Sequence, residues 1–132
     1  MNENLKIWMN GRIIPWQDAQ VHLMTHAVHY GSSVFEGIRA YDSHKGTVIF
    51  RLREHIERLF YSASVYRMGI SWSFDEIMAA CHQAVAINKL GQGYIRPIIW
   101  KGMNGLSLYS GPDAKIETAV MAMEWNNFPG ES

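Results

Sequence analysis

The chain has 132 residues, 48% hydrophobic and 12% aromatic, with 12 basic residues against 12 acidic ones and a net charge of zero. That size suits one domain with a real core, and the absence of a basic excess argues against a nucleic-acid partner. Cys81 is the sole cysteine, which excludes an intramolecular disulfide and a cysteine-based zinc cluster.

The opening Met-Asn-Glu-Asn-Leu-Lys lacks the apolar core of a signal peptide. No apolar run approaches the roughly 18 residues of a membrane span. The expectation is a cytoplasmic protein with no membrane partner. Residues 6–14 read as a hairpin. Ile7-Trp8-Met9 and Arg12-Ile13-Ile14 flank Asn10-Gly11, the pair favoured by a type I′ turn. Pro15 closes the second strand. His22, His26 and His29 follow at i, i+4 and i+7. On one helix they would share a face, a possible metal constellation. The segment is short and no carboxylate joins them, so histidines that hold a loop by hydrogen bonds are the commoner outcome.

Gly31-Ser32-Ser33 is a pliable lead-in to a strand over 34–41. Phe35, Gly37, Arg39 and Tyr41 point one way; Val34, Glu36, Ile38 and Ala40 point the other. The first set reads either as an ordinary half-buried face or as the floor of a pocket. In the second case Gly37 admits a close approach, and Arg39 offers a fork of donors to a carboxylate or phosphate. A polar turn at 42–46 returns the chain as a short strand over 47–51. The period then changes. Ile56, Leu59, Phe60 and Ala63 fit an amphipathic helix over 53–67. Arg58 lies well off that stripe, as a solvated arginine or as one that meets a ligand phosphate.

Ser73 to Glu76 is a capping box. Phe74, Ile77, Met78, Cys81 and Val85 form the buried stripe of the helix it opens, with Gly91 as the expected terminator. Tyr94 to Trp100 is the next strand, with Tyr94, Arg96, Ile98 and Trp100 on one face. Pro97 cannot donate to a ladder, so the strand is an edge or Pro97 sits at its unpaired side. Tyr94 and Arg96 together can bind one carboxylate. Residues 102–114 form a loop whose Leu106, Leu108 and Tyr109 suggest that it folds over something. A last strand runs over 115–125, and 126–132 has the composition of a linker. Hairpins with two helices predict an α+β fold, an antiparallel sheet with the two helices packed on one face.

The run from His26 to Gly31, then Val34-Phe35-Glu36-Gly37-Ile38-Arg39-Ala40-Tyr41, closely resembles the N-terminal part of the branched-chain amino-acid aminotransferases of fold-type IV, class IV. Arg53 to Leu59, Tyr94-Ile95-Arg96-Pro97, Trp8 to Gly11 and Trp16 to Ala19 extend the match over nearly the whole chain. The resemblance implies pyridoxal 5′-phosphate as cofactor, with Arg58 at its phosphate. It implies a substrate pocket lined by Phe35, Tyr94 and Trp125, with Tyr30 in that wall, in its own subunit or reaching a partner's site. Arg96 with Tyr94 would receive the second carboxylate of glutamate, and Arg39 would assist or anchor the strand. One pocket would then serve both leucine and glutamate, with apolar walls and one charged group at the rim.

One departure outweighs the agreements. Lys6, Lys45, Lys89, Lys101 and Lys115 are the five lysines, and none stands in the context of the family's Schiff-base lysine, which the resemblance places in a second domain. Residues 1–125 are therefore expected to be the small N-terminal domain and 126–132 the start of an interdomain linker. The isolated chain is expected to hold the cofactor weakly or not at all, to lack transaminase activity, and to form a homo-oligomer through faces left uncovered. The competing readings are a non-catalytic dimerisation module of the same shape and a metal-binding domain built on the three histidines.

Overall fold

The computed structural model describes residues 3–111 and 113–124, and every count below is of those residues. Trp125 and the segment 126–132 lie outside them. The elements in order are β1 (Lys6–Met9), β2 (Arg12–Pro15), a single 3₁₀ turn (Trp16–Asp18), α1 (His26–Tyr30), β3 (Ser33–Phe35), β4 (Ile38–Ser43), β5 (Gly46–Ile49), α2 (Leu52–Val65), α3 (Phe74–Ile87), β6 (Gly93–Lys101) and β7 (Ile116–Glu124). The seven strands make one antiparallel sheet, ordered β2-β1-β7-β6-β4-β5, with β3 also on β6. This is the expected α+β architecture, with α1 as a short third helix. None of the described helices is long and apolar enough to cross a membrane.

The first hairpin turns where the sequence places it. Asn10 and Gly11 both take positive φ, 49° and 88°, as a type I′ turn requires. The turn also serves the sheet: Asn10 N–H donates to the Thr118 carbonyl at 2.9 Å, and Asn10 Oδ1 accepts from Thr118 N–H at 3.0 Å. The β1–β7 ladder thus continues one step into the turn.

The predicted strand over 34–41 is two strands. Its register does not slip: Phe35 opposes Ile98 and Ile38 opposes Ile95. The break falls at Glu36, whose N–H donates to the Pro97 carbonyl at 3.1 Å. Pro97 has no N–H to return the bond. β6 is therefore an interior strand, not an edge, and Pro97 sits where the ladder to its neighbour is interrupted.

The alternation survives the break. Val34, Ile38, Ala40, Ile95, Ile99, Val120 and Ala122 face α2 and α3 and are buried with Ile56, Leu59, Ala63, Ile77, Cys81 and Ala84. Each large aliphatic group so buried contributes about 1.5–3 kcal/mol of transfer free energy. Cys81 is part of this core, and burial pushes its thiol up to about 12, which makes it inert as a nucleophile. The opposite face carries Phe35, Arg39, Tyr41, Tyr94, Arg96, Ile98 and Met121, and no long helix among the described residues covers it.

Both long helices stop without glycine. α2 ends with Arg67 N–H on Ser64 and Met68 N–H on Ala63; α3 ends with Lys89 N–H on Ala86 and Leu90 N–H on Val85. Arg67 and Lys89 take φ of 55° and 53°, and Met68 and Leu90 are buried. These are Schellman closures sealed by an apolar residue. The expected terminator, Gly91, lies beyond the closure; a Cβ there would come within 3.2 Å of Asp42 Oδ2. The Ser73–Glu76 capping box forms as read, with reciprocal bonds of 3.1 and 2.8 Å.

Candidate functional site

On the open face of the sheet, β3 and β6 bring Phe35, Tyr94 and Arg96 together. The Arg96 guanidinium lies over the Phe35 ring, 4.1 Å from its centroid, and 5.3 Å from that of Tyr94. Its Nη2 donates to the Tyr94 hydroxyl at 2.6 Å, while Nε is buried with no acceptor. The strand pairing explains the geometry. Arg96 stands diagonally across from Phe35, within reach of a long side chain. Tyr94 leans over Gly37, and a Cβ at Gly37 would lie 2.2 Å from the Tyr94 oxygen. The close approach anticipated at Gly37 is thus filled by the chain's own tyrosine. Arg39 is the register partner of Tyr94 at the next position along. The group combines an aromatic wall, a cation held flat on it and one buried spare donor. Such an arrangement can accept an apolar group and a carboxylate side by side.

A second group lies on the helical side. Glu36, between Phe35 and Gly37 in the chain, faces α2. Its carboxylate accepts from Arg58 Nε at 3.0 and 2.9 Å, from Arg58 Nη2 at 2.6 Å and from His55 Nδ1 at 2.7 Å. Glu36 is 6% exposed and the Arg58 side chain 65%. Burial alone pushes the Glu36 carboxyl up; the hydrogen bonds and charges of Arg58 and His55 outweigh it and hold the group below the ordinary glutamate value. Arg51, Glu54, His55 and Arg58 line a cleft of about 310 Å³. The position of Arg58 off the apolar stripe is accounted for by Glu36. Sequence reasoning misses its partnership with Glu36 and His55. Two local signals point to it: Glu36 falls on the buried parity of its strand, and His55 and Arg58 are three apart on one helix.

Tyr30 stands apart from both groups. It lies on α1 with its hydroxyl donating to the Leu106 carbonyl at 2.6 Å. Beside it, His26 is buried, with Nε2 3.1 Å from the Leu108 carbonyl and Nδ1 2.7 Å from Ser32 Oγ. A carbonyl can only accept, so Nε2 carries the proton and Nδ1 accepts from the serine. His29 Nε2 donates to the Leu23 carbonyl, and His22 Nδ1 accepts from Met24 N–H. The helix begins only at His26, so the three histidines do not share a helical face. Each holds a loop, and no three His, Cys, Asp or Glu among the described residues are grouped to hold a metal. These bonds fix the loop after β6, on which Leu106, Leu108 and Tyr109 are 52%, 73% and 80% exposed.

Lys6 and Lys101 belong to β1 and β6, Lys45 to the β4–β5 turn and Lys89 to the end of α3, while Lys115 Nζ lies 3.3 Å from Glu117. Trp125 lies outside the described residues, so its expected place in the pocket wall has no structural counterpart here.

The comparisons with known proteins agree with one another. Residues 33–132 match the model of the class IV amino-transferase family. The branched-chain-amino-acid aminotransferase of Salmonella typhimurium is 48% identical over 124 residues, covering 94% of this chain and 40% of that protein. The Escherichia coli branched-chain amino acid aminotransferase crystal structure superposes with a TM-score of 0.92 at 46% identity, over 96% of this chain and 42% of that one. The branched-chain amino acid aminotransferase of Thermobaculum terrenum, in its PLP form, superposes with a TM-score of 0.82 at 32% identity, over 94% of this chain and 41% of that one. This chain therefore spans about two-fifths of the length of the relatives it matches.

Proposed function

This chain belongs to the class IV amino-transferase family, and from that premise we propose that it forms the substrate-side portion of a branched-chain amino-acid aminotransferase. The reading assigns residues 1–125 to the small N-terminal domain. The lysine that carries the cofactor, and the rest of the catalytic apparatus, belong to a second domain. The substrates are leucine, isoleucine or valine and 2-oxoglutarate. The observation that carries the reading is the Phe35–Arg96–Tyr94 group: an arginine stacked on an aromatic ring, anchored by a phenol, with a buried Nε donor still unused.

In this reading Phe35, with Trp125, meets the aliphatic side chain. Arg96 and Tyr94 take the distal carboxylate of glutamate. Arg39 supports the strand beside Tyr94, and Tyr30 belongs to the wall that the loop after β6 completes. The residues on the helical side fit a phosphate. Two arginines, Arg51 and Arg58, line the cleft with His55 and one acidic side chain, Glu54, and Arg58 is held at its edge by a buried carboxylate. Pyridoxal 5′-phosphate, when bound, supplies the electron sink that lets an amino group pass between carbon skeletons. Arg58 would hold its phosphate. The PLP form of the Thermobaculum terrenum relative supports that cofactor. Self-association through the open sheet face and the apolar loop also belongs to the proposal, since exposed apolar patches of this kind mark interaction surfaces.

The test is a backbone and side-chain NMR titration with 2-oxoglutarate and with 4-methyl-2-oxopentanoate. Both are expected to shift Phe35 and Tyr94 signals, and Arg96→Met is expected to abolish the 2-oxoglutarate response while sparing the other. No shift at these residues with either acid would overturn the reading.

A further inference from the structure

The cleft beside α2 presents an asymmetry that a phosphate-binding arginine alone does not explain. An exposed arginine has high rotamer freedom and fixes it only at an entropic cost. Here the fork is already fixed. Glu36 engages the Nε–Nη2 edge of Arg58 through three contacts of 2.6 to 3.0 Å, and His55 occupies the same carboxylate at 2.7 Å. A guanidinium has five N–H donors. The Glu36 carboxylate takes the Nε side, so the Nη1 side is left for a second acceptor. That second edge belongs to a side chain 65% exposed, lining the cleft with Arg51, His55 and one acidic side chain, Glu54, so the two arginines outnumber the lining carboxylate. Glu36 itself is anchored by its backbone on Pro97 of the central strand. The chain of contacts runs from sheet to carboxylate to guanidinium.

Resting on the proposed phosphate role of Arg58, we infer that Glu36 and His55 are positioning residues for that arginine, and that Arg51 is a second cation of the same phosphate cleft. Two effects of Glu36 on an anion in the cleft oppose each other. Its negative charge repels the anion, an effect weakened by solvent at an exposed arginine. Its hydrogen bonds hold Arg58 in place, and preorganising one rotamer-rich side chain is worth about 2- to 10-fold in affinity. The inference is that positioning wins.

The experiment uses the 132-residue chain and two probes, inorganic phosphate and pyridoxamine 5′-phosphate, which has no aldehyde to react with lysines. Arginine Nε–H NMR signals report binding, and amide spectra report folding. In the free wild-type chain the Arg58 Nε–H is expected to be protected from solvent exchange, and in Glu36→Gln to lose that protection. Pyridoxamine 5′-phosphate affinity is expected to fall about 2- to 10-fold in Glu36→Gln, and also in Glu36→Asp, which keeps the charge but shortens the reach. Arg51→Met is expected to weaken binding without altering the Arg58 signal of the free chain. Unchanged or tighter binding by folded Glu36→Gln or Glu36→Asp overturns the positioning role alone, and unchanged binding by Arg51→Met removes Arg51 from the cleft. Binding to the isolated chain is expected to be weak, so both probes are carried into the millimolar range; a wild-type chain whose Arg58 still responds to neither overturns the phosphate-cleft reading, and this inference with it.

Discussion

Replacing Gly37 with alanine tests the packing of the substrate-side group with a single methyl. Gly37 does not need a left-handed backbone, so the only obstacle is space. The added Cβ would sit 2.2 Å from the Tyr94 oxygen, 2.9 Å from Cζ and 3.0 Å from Cε2. Van der Waals contact requires the tip of the ring to retreat by about 1 Å or more. That tip is held by the 2.6 Å bond from Arg96, whose guanidinium in turn lies on Phe35. Overpacking of this kind costs about 1–3 kcal/mol. The reduced freedom of the unfolded chain returns about 0.4–1 kcal/mol, so a net loss of about 1–2 kcal/mol is expected. In a Tyr94→Ala background the obstacle is gone, and the same Gly37→Ala change is expected to be neutral or slightly stabilising. Urea unfolding followed by tryptophan fluorescence gives both numbers, and the coupling should exceed about 1 kcal/mol. Equal destabilisation with and without the Tyr94 ring would refute the argument.

Further outcomes follow from other contacts. Glu36 is held below the ordinary glutamate value of 4.5, so its contribution to stability is present above that value and is lost as pH falls through the lower folded one. The stability gap between wild type and Glu36→Gln should therefore be present above that value and close in acid; a gap that widens below pH 4.5 would contradict it. Lys89 adopts φ of 53° at the end of α3, and Lys89→Gly should stabilise the chain by about 1 kcal/mol in thermal unfolding. Gly93→Ala would place a Cβ 2.5 Å from the Met123 carbonyl oxygen, a backbone atom that cannot swing aside. Its cost should reach or exceed the upper end of about 1–3 kcal/mol, more than Gly37→Ala.

The parts of the fold legible in the sequence are those fixed by neighbours in the chain. Asn10-Gly11 dictates its turn by backbone preference, and Ser73 and Glu76 cap their helix across one turn. The period of two in residues 34–41 puts Phe35 and Arg39 on one face, and Glu36 and Ile38 on the other. What stays hidden depends on distant residues. The strand breaks at Glu36 because Pro97, far along the chain, withholds a donor. The left-handed residue that closes α3 is Lys89 because Leu90 is buried against the core, so the glycine rule points two residues too far. Arg58 is visible as an arginine off its apolar stripe. Its partner is not, since Glu36 lies on a strand and Arg58 on a helix that only folding brings together. The histidines read as loop-holding groups and act as such, although the loop bonds of His26 reach Leu108, which no local pattern indicates.

In the proposed function these 132 residues shape the pocket while the lysine that does the chemistry belongs to another domain. The most direct test is amino transfer from leucine to 2-oxoglutarate by the purified chain with added pyridoxal 5′-phosphate, read as glutamate formed. No glutamate above the rate given by the cofactor alone is expected; turnover that rises in proportion to the concentration of the chain would contradict the account.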